Sequence, residues 1–223
     1  MIKNIYNLPP IMQWIISILL LKICLIFDYI LITTISFPIL FLIIPLLKVF
    51  NHFSFAPLLR LIGYLHYYSP LLLIIKRKKN IWEIHGGNMF DFFINMKWKN
   101  KGTQAQRLVI SNYLKGLLEI INEIERSKKV NFELFGISYI LNEKTAKKLG
   151  FSVEQVKLRR KFLFFLDYIN LAIMYSFSKG EVSFPNILKT VKVSINSCDL
   201  LKSKNKITEY FNFINKRNNL ILS

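Results

Sequence analysis

The sequence predicts an α+β protein in which an N-terminal helical membrane anchor, hairpin in form, precedes one mixed α+β domain. Three observations carry that prediction. The chain combines a positive mean hydropathy of +0.34 with a formal net charge of +18 over 223 residues, a pairing that a single soluble domain rarely shows. The two properties separate along the chain: residues 1–75 hold only Lys3, Lys22, Lys48 and Arg60 against Asp28, a net of +3, and residues 76–223 carry the remaining +15. Beyond residue 80, short alternating strands are interspersed with helical stripes, the pattern of an α+β domain. Together these exclude a disordered tail protein, a disulfide scaffold and an ordinary cytosolic enzyme.

From Leu8 to Ile75 the chain is almost wholly apolar, in three blocks: Ile11–Phe27, Tyr29–Val49 and Ala56–Ile75. A helix crossing the roughly 30 Å hydrocarbon core needs about 20 apolar residues, a length that the second and third blocks reach. The remaining chain is too small to bury three such helices on all sides. The favoured arrangement is a hairpin of the second and third blocks, turning at Asn51–Phe55, with Ile11–Phe27 near the interface and Pro9-Pro10 starting its helix. A close rival fuses the first two blocks into one continuous tilted helix. Lys76, Arg77, Lys78 and Lys79 directly end the third block, and such a cluster beside a span stays inside the cell. The expected division is therefore a membrane-anchoring region over 1–79 and a basic domain over 80–223, cytoplasmic and held at the bacterial inner membrane. No small-x-small cleavage site follows the first block, since the first alanine is Ala56, which argues against a cleaved signal. Lys22, Asp28, Arg60 and His66 offer two readings, an intramembrane relay or substrate site, or, for the three charges near predicted helix ends, side chains that reach the headgroups. His66 falls within the third block.

In the basic domain, Ile81–Ile84 predicts a short strand and Asn88–Met96 a short helix. Thr103 opens a long helix whose stripe of Ile110, Tyr113, Leu114, Leu117, Ile121 and Ile124 runs to about Arg126. Val130–Ile140 predicts a strand, with a change of phase at Phe135-Gly136 that suggests a bulge. A turn or two of helix capped by Asn142 stops at Gly150, with Phe151 as the hydrophobic partner of the stop. Ser152 and Gln155 start a further capped helix over Val153–Ser178, whose apolar middle points to a core helix rather than one lying on the membrane. Val191, Val193 and Ile195 alternate with polar neighbours as a half-buried strand, and helix returns from Asp199 to Lys216.

One constellation has the residue types of a reactive or anion-binding site: His85-Gly86-Gly87-Asn88, followed by Asp91. It comes after a strand and opens a helix. Gly86 and Gly87 allow a ligand to approach the backbone, and with Asn88 at a helix start they offer N–H groups to an anion. His85 suits a general base and Asp91 a group that orients it, the pair that acyl transfer to a hydroxyl requires. The order resembles the His-x4-Asp motif of membrane glycerolipid acyltransferases, which also follows an N-terminal hydrophobic segment. The resemblance implies His85 and Asp91 as a catalytic pair acting on a lipid or acyl substrate. The spacing here is one residue longer, and the family's Phe-Pro-Glu-Gly-Thr-Arg motif has no counterpart, since Phe184-Pro185 continues Asn186-Ile187. The competing reading is a capped turn with its histidine bonded to backbone.

His-Gly-Gly also resembles the oxyanion loop of esterases, but there the catalytic histidine follows the serine and the acid, and no histidine follows His85. Phosphate-loop, dinucleotide-binding and His-Glu-x-x-His motifs are absent. Three scattered histidines and the two distant cysteines, Cys24 and Cys198, give no pattern of metal ligands, and nothing in the sequence calls for a cofactor.

The basic residues cluster at 76–79, 97–101, 144–148, 157–161 and 202–206. Lys76–Lys79 and Arg159-Arg160-Lys161 are the strongest candidates for an anionic membrane surface, where each cation contributes about 1 kcal/mol. The expected partners are the lipid bilayer, its anionic headgroups and an unidentified membrane protein. Nucleic acid is disfavoured, because no recognition-helix, zinc-finger or RNA-binding signature is present. The 33 Ile, 24 Lys and 19 Asn all have AT-rich codons, so genome composition accounts for part of the lysine excess without any partner. The function this supports is a membrane-anchored accessory or interaction protein, with a membrane-bound acyl or lipid transferase as the alternative.

Overall fold

Proline at the first helical position, and a following run free of glycine, start a helix that continues through Asp28 without a break. This is α1, Pro10–Thr34. The computed structural model describes residues 8–35, 39, 47, 51, 55–78, 80–96, 102–127, 131–138, 143–156 and 167–222. At 25 residues and 1.5 Å per residue, α1 is about 37 Å long, long and apolar enough to cross a membrane. Three of its hydroxyls bond to carbonyls within the helix, whereas the shielded Asp28 Oδ1 makes no hydrogen bond among the described residues. Ser17 Oγ donates to Gln13 O at 2.6 Å, and the Thr33 and Thr34 hydroxyls close the last turn on Tyr29 and Ile30 carbonyls. Asp28 does not divide the first two blocks: α1 takes in the first and continues into the second as far as Thr34.

The third block is not a span. Residues 55–61 are helical, and the chain then enters β1 (His66–Ser69) and β2 (Leu72–Lys78). Leu71, Leu72, Leu73 and Ile74 are all buried, because β2 lies inside a sheet with protein on both faces. Such a strand gives an uninterrupted apolar run, and short runs of this kind are ambiguous between strand and helix. Pro70 sits in the tight β1–β2 turn. The expected hairpin of the second and third blocks therefore finds no helix of membrane-spanning length in Ala56–Ile75. The boundary expected at 79/80 falls in the turn from β2 to β3 (Ile81–Gly86), whose strands pair from Leu72↔Gly86 to Lys78↔Ile81.

The remaining elements are α2 (Met89–Asn95), α3 (Thr103–Ser127), β4 (Glu133–Ser138), α4 (Glu143–Lys148), β5 (Ser152–Gln155), α5 (Tyr168–Lys179), β6 (Val191–Asn196), α6 (Ser197–Lys202) and α7 (Lys204–Leu222). The protein is thus mixed α+β with one N-terminal apolar helix. The six strands form one sheet in the order β1-β2-β3-β4-β6-β5. Among the described strands only β3 and β4 are parallel, joined through α2 and α3. The other neighbours are antiparallel.

Strand alternation sends Leu72, Ile74, Trp82, Leu134, Val193 and Ile195 into one core with Leu114, Leu117, Ile120, Ile121 and Ile124 of α3. The predicted stripe of α3 is the face that the sheet buries. Helix α7 adds Ile207 and Ile214 to the same core. Trp82 stacks on Phe132 with ring centroids 3.9 Å apart. A smaller core joins Leu71, Phe92, Met96, Val109 and Met174 at the α2–α5 end.

Two local expectations change. Strand β4 has no bulge: its register with β6 runs unbroken from Glu133↔Asn196 to Ser138↔Val191. Gly136 instead lets Ile84 approach, since a Cβ there would lie 3.1 Å from the Ile84 carbonyl oxygen. Ser152–Gln155 is an edge strand on β6, not a helix start; helix in that stretch is described only from Tyr168. Gly150 stops α4 in a left-handed conformation, φ 90°, and Phe151 is buried behind it, as the stop signal implied. Asn142 and the ends of the Val130–Ile140 stretch lie outside the described residues.

A Cβ at Gly116 would sit 2.9 Å from the Leu72 Cβ. Replacing Gly116 with Ala is expected to lower stability by about 1–3 kcal/mol by pushing α3 off β2. Thermal unfolding in detergent, followed by near-UV circular dichroism, measures this; a variant as stable as the parent refutes the close contact.

Candidate functional site

The His85 region is assembled by β3. Alternation turns Trp82 and Ile84 toward α3, and Glu83 and His85 to the opposite face of the sheet, beside Ile75 and Leu73 of β2. Arg77, also on that face, donates from Nε to Glu83 Oε2 at 2.6 Å. His85 Nε2 lies 3.6 Å from Glu83 Oε1, an ion-pair distance too long for a hydrogen bond. The Glu83 side chain is 15% exposed and that of His85 39%. His85 and Arg77 together hold the Glu83 carboxyl down at about 2. His85 Nε2 itself is shielded from water and makes no hydrogen bond among the described residues.

After β3 the chain turns through Gly86, Gly87 and Asn88 into α2. The Asn88 side chain accepts from the Asp91 N–H at 2.9 Å, and Asp91 Oδ2 accepts from the Asn88 N–H at 3.0 Å. This reciprocal pair is a capping box. The same Asp91 oxygen accepts from the Tyr67 hydroxyl at 2.7 Å, and Asp91 is 0% exposed. The Gly87 N–H donates to Leu71 O at 2.9 Å and the Phe92 N–H to Asn88 O at 2.9 Å. Four N–H groups around this helix start thus serve the chain itself, and the buried Asp91 carboxylate adds negative charge where an anion would bind.

The glycines are explained by close approach of the protein to itself. A Cβ at Gly86 would collide with the Tyr113 hydroxyl of α3, and one at Gly87 would lie 3.3 Å from the Leu71 Cα. Burial pushes the Tyr113 hydroxyl up to about 12.

The five residues His85, Gly86, Gly87, Asn88 and Asp91 are therefore contiguous, but their roles divide. Asp91 is committed to the cap and to Tyr67, and the acid beside His85 is Glu83. That pairing was readable in principle: on a strand, residues two apart share a face, so Ile81–Ile84 as strand places Glu83 next to His85. Tyr67 and Tyr113 carried no local signal, because both arrive from other elements.

The basic cluster does not form one patch beside a span. Lys76 lies over the Trp82 ring at 4.5 Å and 3.8 Å from Glu123, on the helix-facing side. Arg77 binds Glu83 on the other side, and Lys78 is exposed. Strand β2 thus sends Lys76 and Arg77 to opposite faces of the sheet. Lys79, Arg159, Arg160 and Lys161 lie outside the described residues. Near Lys76, the Tyr68 hydroxyl donates to Glu123 at 2.5 Å. Burial and that bond push the Tyr68 hydroxyl up, while burial and Lys76 push His66 down. Among the described residues, no three His, Cys, Asp or Glu side chains converge as metal ligands.

No family model, no curated protein and no solved structure matches this chain. The geometry alone supplies an imidazole beside an ionised carboxylate on a half-open sheet face.

Replacing Asp91 with Ala removes one half of the capping box, the acceptor of the Asn88 N–H, and strands the Tyr67 hydroxyl, with an expected loss of about 1–3 kcal/mol in thermal unfolding; an unchanged midpoint would show that the box is not structural. Glu83 sets a pH dependence. Its folded carboxyl is depressed, so its stabilising contribution is present above the ordinary 4.5 and is lost as pH falls from there toward about 2. Glu83→Gln should flatten the unfolding midpoint across that window, and an identical acid slope in parent and variant counts against it.

Proposed function

We propose that this chain is a membrane-anchored accessory or interaction protein, fixed to the bilayer by α1 and presenting its α+β domain at the membrane surface. One observation supports this reading above the rest: α1 is inside-out by the standards of a soluble helix. Ile11, Ile15, Ile18, Leu19, Ile26 and Ile32 are exposed, whereas the two fully buried residues of the helix are Ser17 and Cys24, with Gln13 and Asp28 half-buried beside Ile16, Leu20, Leu21 and Leu31. A helix in water buries its apolar side; one in lipid exposes it and turns small and polar residues toward protein.

The path after α1 supports a return to the same side. Asn51 hydrogen-bonds with the Cys24 thiol, which lies ten residues, or about 15 Å, back from the helix end at Thr34. The chain has thus doubled back by residue 51, so a hairpin would bring the α+β domain to the side where α1 began. In such a hairpin the Cys24–Asn51 contact favours a turn between those two residues over one at Asn51–Phe55. Lys3 before α1 and Arg60 after the return then flank the membrane on one side, and the positive-inside bias assigns that side to the cytoplasm, at the inner membrane of a bacterial cell. Anionic headgroups are the partner that suits the +15 carried beyond residue 75.

His85 favours a second reading, a transferase acting on a lipid or acyl group, because its ring is part-exposed beside an ionised carboxylate. Glu83, in place of Asp91, is the orienting acid in that reading. Unchanged acyl transfer to lipid extracts by a His85→Ala variant would remove it.

The anchor is tested by fractionation and topology together. The full chain should remain with membranes through an alkaline wash, and reporters joined at Leu8 and at the C-terminus should mark the same side. Release by the wash sinks the anchor; reporters on opposite sides sink the hairpin alone.

A further inference from the structure

The connection from α5 to β6 is built to hold apolar side chains in the open. The chain leaves α5 through Gly180, in a left-handed conformation, and is buried again at Thr190. Between these points Val182 is 84% exposed, Phe184 65% and Leu188 78%. These side chains do not dangle from a slack loop. Ser176 Oγ donates to Ser183 O at 2.8 Å and accepts from the Ser183 N–H at 2.9 Å, pinning the loop to α5. Pro185 is buried. Asn186 Oδ1 accepts from the Leu188 N–H at 3.0 Å, at the start of a 3-10 turn over Ile187–Lys189. Phe184 lies parallel to Tyr168, with ring centroids 6.3 Å apart. Water would drive free apolar side chains inward, and here the backbone bonds keep them out.

We propose that this loop is a second membrane-contact element, with Val182, Phe184 and Leu188 entering the boundary between headgroups and acyl chains of an anionic bilayer. The proposal rests on the membrane reading of α1 and adds a specific surface to it. Two observations select lipid as the occupant. Lys179 and Lys189 bracket the apolar residues against the single acid Glu181, the arrangement of a membrane-lying segment whose cations meet lipid phosphates while its apolar residues go deeper. The chain also carries α1, long and apolar enough to cross a membrane, and a domain tethered by it would gain from even a shallow second contact.

The test uses the full chain in mixed phosphatidylcholine and phosphatidylglycerol vesicles. Cys24→Ser and Cys198→Ser remove the native thiols, and Val182→Cys, Phe184→Cys or Leu188→Cys accepts an environment-sensitive fluorophore. Lys202→Cys, exposed on α6, is the reference position. The loop probes should show blue-shifted emission and lose intensity when the acyl chains are brominated, and the reference should do neither. A chain that floats with the vesicles but keeps water-like emission at all three loop positions overturns the loop contact and leaves the anchor standing. Blue-shifted emission insensitive to brominated chains means that protein, such as a second copy, covers the loop, and also overturns it. Failure to float overturns the anchor and the loop proposal with it.

Discussion

The absence of a side chain at position 116 is the constraint on which the rest of the domain depends. Gly116 lets α3 settle against Leu72, and once that helix is down, its length fixes several distant parts. One turn before the contact, Tyr113 meets Gly86 and sets how close the β3–α2 turn can come. Two turns after it, Glu123 takes the Tyr68 hydroxyl and ties in β1. On its outer side, Ser111 bonds to Asn215 at 2.7 Å and Glu125 pairs with Lys204 at 2.8 Å, which docks α7. Most of the binding is apolar and non-directional, but the glycine and these polar pairs select one register of helix on sheet.

The protein handles similar apolar sequences in two opposite ways. At the start of β2, Leu72, Leu73 and Ile74 disappear into the sheet. In α1, isoleucines and leucines remain outside, with the serine and cysteine of the same helix shielded. Composition does not separate the two cases. What separates them is the availability of partners: β2 has hydrogen-bonding neighbours on both edges, whereas α1 satisfies its backbone within itself and needs no neighbour to exist in an apolar medium. The exposed loop at 182–188 is intermediate, apolar but held by side-chain bonds to α5.

The turn after β3 shows how a capped helix start can imitate a reactive site. Asn88 and Asp91 at capping-box spacing, with glycines before them, satisfy local rules for either role. The decision lies in what else the Asp91 carboxylate accepts, and the donor is the Tyr67 hydroxyl, from a strand twenty-four residues earlier in the chain. His85 keeps its place on the open face because strand parity dictates it, and parity also brings Glu83 alongside. The mixed α+β class, α3 with its buried stripe, the stop at Gly150 and strand β6 were all legible, since each is written in local periodicity or capping. The fate of Ala56–Ile75, the edge strand at Ser152–Gln155 and the regular register through Gly136 were not, since each depends on a strand partner distant in sequence.

By itself, then, the sequence determined where the apolar and cationic halves divide, which segments are periodic as helix, and which residues start and stop them, because these follow from neighbours within a turn or two. Only the tertiary structure decided that the third apolar block is sheet, that the basic run at 76–78 is split between two faces, and that Asp91 serves a cap while Glu83 flanks His85. Strand pairing and side-chain burial are set by residues far apart in the chain, and their energies exist only once those residues meet.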